Sequence, residues 1–165
     1  MDPFFAWIED TAFSSYLREA PSVFVFPAML VLHALGMALL VGAHAAIAVR
    51  VLGVAPRVPL PEMAKFVTVA WTGLAVNIFS GVLLLIAYPT KALTNPLFYV
   101  KMSLILLSLF LFAALSKRIF TAPREGAPLR ARQLAAALLF TWASTIAAGR
   151  FLAYTYTRLL VNLYG

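Results

Sequence analysis

Two histidines are the residues of this chain best suited to bind a metal ion. His33 and His44 are the only strongly polar side chains in the run from Val23 to Val49, which carries no formal charge. Eleven residues advance a helix by close to three full turns, so the spacing predicts that both imidazoles point the same way, about 16 Å apart. An ionisable side chain inside such an apolar run is a functional candidate by default.

Methionines share the predicted histidine face. Met29, Met37 and Leu40 fall on it together with His33 and His44. Thioether and imidazole groups together suit Cu(I), and imidazole alone suits haem iron. Met29, His33, Met37 and His44 are therefore candidate metal ligands. In the alternative interpretation, His33 is a neutral histidine bonded to a neighbouring Ser, Thr or Asn, and the methionines only fill apolar space.

Haem b would need a second axial ligand from elsewhere, because two histidines about 16 Å apart on one helix cannot ligate one iron. That ligand would come from a second subunit or from a methionine. Met102, in the outer half of the third span, is the candidate at the level of His33, and Met63 is the candidate at the level of His44. The sequence thus predicts His33 and Met102 as residues that bind the cofactor.

Three other polar side chains fall within apolar runs. Asn77 is either the hydrogen-bond partner of His33 or an ordinary contact between helices. Arg150 either anchors an anionic group such as a haem propionate or reaches out to the membrane interface. Lys101 has the same two interpretations.

The elements that position these residues are four long apolar runs, which predict an all-α, four-helix transmembrane bundle. The predicted spans cover about residues 22–52, 61–88, 96–119 and 129–154. Pro27 lies just inside the first span and is expected to kink it. Residues 2–17, capped by Asp2, predict one short amphipathic helix that lies flat on the bilayer surface; the alternative is a frayed N-terminal tail.

Composition and charge agree with a membrane protein. The chain is 63% hydrophobic and 12% charged, and it contains no cysteine, which excludes disulfides, thiolate catalysis and iron–sulfur clusters. Its net charge of +7 comes from basic residues clustered at the ends of apolar runs, so we expect a lipid bilayer and not nucleic acid as the partner. The two most basic connections are predicted to be cytoplasmic, which places both termini on the outer, periplasmic side.

Small residues beside the histidine face predict a close helix approach. Gly36 and Ala43 lie there, and such residues let two backbones come together in a membrane. The approaching helix belongs either to this chain or to a partner protein.

Several short motifs resemble those of an uncharacterised bacterial four-helix membrane-protein family. They are Leu32-His33-Ala34-Leu35-Gly36, Leu39-Leu40-Val41-Gly42, Arg50-Val51-Leu52-Gly53, Asn95-Pro96 with Lys101-Met102, and Ala147-Ala148-Gly149-Arg150. That family is loosely similar to copper-resistance protein D and to four-helix cytochromes of the b type. The resemblance implies a bacterial inner-membrane location and makes His33 and Arg150 the positions of most interest.

Two functional hypotheses follow. In the first, the protein is a non-enzymatic module of the inner membrane that binds copper or haem b through the His/Met face of the first span. In the second, it is a ligand-free accessory subunit of a homo-oligomer or a larger membrane complex, with Gly36 and Ala43 as the contact surface. An enzyme is less well supported, because the chain has no phosphate-binding loop, no nucleophile elbow and no carboxylate within the spans.

Overall fold

The computed structural model describes residues 3–22, 24–120 and 128–164. At 153 and 156–164 it describes the backbone and not the side chains. Asp2, the predicted cap, and most of the connection at 122–128 lie outside these ranges. The described residues form helices and no strand. The helices are α1 (Pro3–Glu9), α2 (Ala12–Glu19), α3 (Phe26–Val51), α4 (Lys65–Ala87), α5 (Pro89–Leu93), α6 (Pro96–Phe120) and α7 (Leu129–Tyr164), with a 3₁₀ turn at Leu60–Ala64 before α4.

Four of these helices are long and apolar enough to cross a bilayer, as the sequence predicted. They are α3, α4 with its preceding 3₁₀ turn, α6, and α7 as far as Leu152. Many of their large apolar side chains point away from the bundle, such as Leu35, Phe79, Leu106 and Phe110. An outward apolar surface of this kind suits a hydrocarbon solvent, in which helices satisfy their own backbone groups.

The first span corrects the expectation of a kink. Helix α3 begins at Phe26, four residues later than predicted, and Pro27 lies in its first turn. A proline is tolerated there because the first turn of a helix has no carbonyl partner for its N–H groups. Pro27 therefore starts this helix and does not bend it.

The N-terminal segment is two helices and not one. The break falls at Asp10 and Thr11, where the Thr11 hydroxyl accepts a hydrogen bond from the Ser14 N–H (3.3 Å) and donates one to the Ile8 carbonyl (2.7 Å). Threonine is a favoured N-cap, so it ends α1 and starts α2. The other span ends differ less: α4 is followed by the short α5, and α7 continues ten residues past the predicted end at 154.

The bundle consists of two helix pairs. Helix α3 packs along α4, α6 packs along α7, and α3 also packs on α7, whereas α4 and α6 make few direct contacts. The main core lies between α3, α6 and α7 and includes Leu40, Ile47, Leu115 and Leu138. A smaller apolar cluster of Leu17, Met29 and Ala87 joins α2 to the ends of α3 and α4. We call this the α2 end of the bundle.

Close approach of α3 and α4 confirms the prediction made from Gly36. A Cβ added at Gly73 would lie 2.5 Å from the Leu40 backbone nitrogen, and one added at Gly36 would lie 2.8 Å from the Asn77 nitrogen. The approaching helix therefore belongs to this chain. Ala43 is also buried in the main core, so neither residue offers a surface to a partner protein.

Candidate functional site

His33 lies in α3, seven residues from the start of the helix, or about 10 Å from the α2 end. Its Nδ1 is 3.1 Å from the hydroxyl oxygen of Ser80 on α4. The neighbouring residue of α4 is Gly81, where an added Cβ would come within 3.3 Å of the imidazole Cε1. The small residue at 81 thus leaves room for the ring beside α4.

The hydrogen bonds of Ser80 define the protonation of His33. A serine hydroxyl carries one proton, and the shortest contact of the Ser80 oxygen is 2.7 Å to the Val76 carbonyl. When that proton goes to Val76, Ser80 accepts from His33, and Nδ1 carries the imidazole proton. The lone pair of the neutral ring is then on Nε2, which has no hydrogen-bond partner among the described residues.

The side chain of Asn77 also contacts this part of α3, at the backbone of His33. Its amide nitrogen donates to the backbone carbonyl of His33 at 2.9 Å. Asn77 is thus a hydrogen-bond partner of His33 through the backbone, and the same bond is a contact between α3 and α4. The side-chain partner of His33 is Ser80.

Lys101 of α6 adds a positive charge near His33. It lies five residues after Pro96, or about 7.5 Å from the α2 end, at a depth close to that of His33. The two residues interact electrostatically. The stem of Lys101 passes Gly149 of α7, whose added Cβ would be 3.8 Å from the lysine Cε. The site therefore draws on all four long helices.

Two of the residues predicted to bind a cofactor are exposed on the surface of their helices. Met102 is 41% exposed on the surface of α6. Arg150 is also exposed, and its guanidinium lies 5.6 Å from the ring centre of Tyr154. An exposed arginine over an aromatic ring near the end of a membrane span, which here extends to Leu152, is typical of a side chain that reaches the membrane interface.

The methionines of α3 have different surroundings from His33. Met29 is buried in the cluster with Leu17 and Ala87, while Met37 is half-buried one turn beyond His33. Among residues 3–22, 24–120 and 128–164, no three side chains of the His, Asp or Glu type form a group that could hold a metal ion.

His44 lies in the main core, with only 1% of its surface exposed. Its ring stacks on Phe112 of α6, with ring centres 3.7 Å apart, and its Nδ1 is 3.0 Å from the indole nitrogen of Trp142 on α7. An indole N–H can only donate, so Nδ1 accepts and the proton of the neutral imidazole is on Nε2. The ring lone pair of His44 thus accepts a hydrogen bond within the core. His44 contacts α6 and α7, whereas His33 contacts α4.

Sequence reasoning missed Trp142 and Phe112 as the partners of His44. One signal was available, because a tryptophan in the middle of an apolar span has an N–H that needs an acceptor. Several residues of the spans carry an acceptor, and the packing of the helices determines which of them the indole N–H contacts.

The chain matches no family model, no curated protein and no solved structure. Its four long apolar helices have the length and composition expected of a multipass membrane protein. The residues at its polar sites are the basis for any more specific assignment.

Proposed function

We propose that this protein is a non-enzymatic module of the bacterial inner membrane that binds haem b through Nε2 of His33. The observation that carries the proposal is the 3.1 Å contact between His33 Nδ1 and the Ser80 hydroxyl, in which Nδ1 is the donor when the Ser80 proton goes to Val76. A histidine that ligates a metal through one ring nitrogen commonly donates the N–H of its other ring nitrogen to a hydrogen-bond acceptor. This bond fixes the orientation of the ring and leaves the lone pair directed toward the metal. When bound, haem supplies one-electron redox chemistry at its iron.

Haem b is favoured over copper by the charge near the site. The positive charge of Lys101 interacts with His33 and would oppose a bare copper ion there, whereas haem carries two carboxylates that it would attract. Copper held by Met29, His33 and Met37 would also require Met29 to leave its contacts with Leu17 and Ala87.

Of the described residues, His33 is the one that would hold the haem iron. Met102 is 41% exposed on the surface of α6, so we do not expect it to bind the same iron in a monomer. A second protein ligand would have to come from a second copy of the chain.

The test is reconstitution of the purified protein with haem b, followed by a visible spectrum and metal analysis. We expect a Soret band in the wild type and in His44→Phe, and its loss in His33→Ala. Copper in the metal analysis without a Soret band would support the copper alternative. A colourless, metal-free protein after reconstitution would refute both.

We further propose that the α2 end faces the periplasm, so that both termini are outside. The opposite end carries the basic residues Arg50, Arg57, Lys117 and Arg118, and such residues are enriched in cytoplasmic connections. Because the chain has no cysteine, single-cysteine variants report this directly. A membrane-impermeant maleimide should label Ser22→Cys in intact cells, and Arg57→Cys only after permeabilisation; the opposite pattern would reverse the topology.

The accessory-subunit hypothesis relied on Gly36 and Ala43 as a contact surface. Both residues pack within the chain. No other observation on the described residues favours that role over haem binding.

A further inference from the structure

Lys101 is a cation without a counter-ion in the described part of the chain. It forms no hydrogen bond and no ion pair with any described residue. The sequence has no Asp or Glu between 65 and 120 or between 129 and 164, and none in α3. The acidic residues nearest to the α2 end are in α1, α2 and the turn between them, where Glu9 already accepts a hydrogen bond from the Thr90 N–H (3.1 Å).

A cation in a membrane span is costly and usually pairs with an anion or lines a functional site. Lys101 is partly buried, with its stem against Gly149, and it lies at a depth close to that of His33 on the other helix pair. Arg150 has the same sign but faces outward over Tyr154. Of the two cations, Lys101 is therefore the one placed to meet a group bound at His33.

We propose that Lys101 binds a carboxylate of the ligand that His33 holds, which for haem b is a propionate. This inference rests on the proposed function, and of the two anion anchors that the sequence offered, Arg150 and Lys101, it selects Lys101. The ammonium would donate hydrogen bonds to the carboxylate, and the pairing would neutralise the one unpaired charge of the site.

The experiment compares haem b with its dimethyl ester, which lacks the two carboxylates. Each is titrated in detergent into wild type, Lys101→Met, Lys101→Arg and Arg150→Met, and the affinity is read from the Soret band. Methionine keeps most of the lysine stem and removes the charge, while arginine keeps the charge. Helical content by circular dichroism verifies that each variant is folded.

We expect Lys101→Met to weaken binding of haem b about tenfold, as loss of one charged hydrogen bond predicts. The same change should leave the ester unaffected, Lys101→Arg should retain most of the affinity, and Arg150→Met should resemble the wild type. An equal loss of affinity for haem b and for the ester in Lys101→Met would indicate a structural role of Lys101, and it would overturn this inference alone. So would unchanged binding in Lys101→Met, or a carboxylate-dependent loss in Arg150→Met. Failure of wild type to bind either porphyrin would overturn the proposed function together with the inference.

Discussion

The indole nitrogen of Trp142 lies 3.0 Å from Nδ1 of His44 and donates a hydrogen bond to it across the core. The bond ties α7 to α3 and gives His44 the tautomer opposite to that of His33. One histidine of the first span is thus a core residue, and the other retains a lone pair.

Replacing Trp142 with Phe removes the donor and leaves the buried His44 nitrogen unsatisfied. We expect a loss of about 1–2 kcal/mol in the free energy of unfolding, measured by circular dichroism during unfolding in mixed micelles. Trp71→Phe is the matched control, because Trp71 is 62% exposed on α4. A similar loss in both variants would mean that the hydrogen bond contributes little.

Gly73→Ala tests the close approach of α3 and α4. Its methyl group would meet the backbone of Leu40, which cannot move aside as a side chain could, so we expect a loss of about 1–3 kcal/mol. Gly42→Ala, also in a long helix, has nothing within 4 Å of the new methyl group and should be neutral or stabilising by up to about 1 kcal/mol. The same unfolding measurement serves both, and equal stability of the two variants would contradict this helix crossing.

Arg18 holds the N-terminal helices on the bundle. Its guanidinium donates to the Ala87 carbonyl at the end of α4 (3.0 Å), to the Glu9 carbonyl (2.8 Å) and to the Ser14 hydroxyl (2.7 Å). The last carbonyls of a helix lack partners within it and carry partial negative charge, so an arginine satisfies both needs.

Arg18→Gln should therefore release α1 and α2 without unfolding the four long helices. We expect hydrogen exchange in α2 to become about tenfold faster or more, as loss of a charged hydrogen bond predicts, while exchange in the core of α7 stays unchanged. Arg57→Gln, in an exposed connection at the other end, is the control. Unchanged exchange in α2 would show that its apolar contacts suffice to hold it.

Ser80→Ala removes the acceptor of the His33 N–H while keeping the imidazole. We expect haem b to bind at least about tenfold more weakly, as loss of such an outer partner predicts, with the Soret titration as the measurement. Ser144→Ala is the control, because Ser144 bonds the carbonyl four residues earlier, as Ser80 does, but is not paired with a histidine. Equal affinity for haem b in both variants would show that Ser80 does not support haem binding.

The four spans could be predicted from the order of the residues, because runs of about 20 or more apolar residues in lipid must form helices to satisfy their backbone groups. The close packing at Gly36 and the choice of His33 as a candidate residue were also indicated by the sequence, since both depend on residue type. The break at Thr11 and the start of α3 at Phe26 were missed, although both follow from local capping and proline geometry.

The different surroundings of the two histidines could not be predicted in the same way. The spacing of the two histidines predicts that they share one face of α3. The helix packed against that face changes along α3, so that α4 contacts His33, whereas α6 and α7 contact His44. Helical periodicity gives the direction of a side chain relative to its own helix. The helix it meets, and hence which ring nitrogen keeps its lone pair, depends on how the four helices pack.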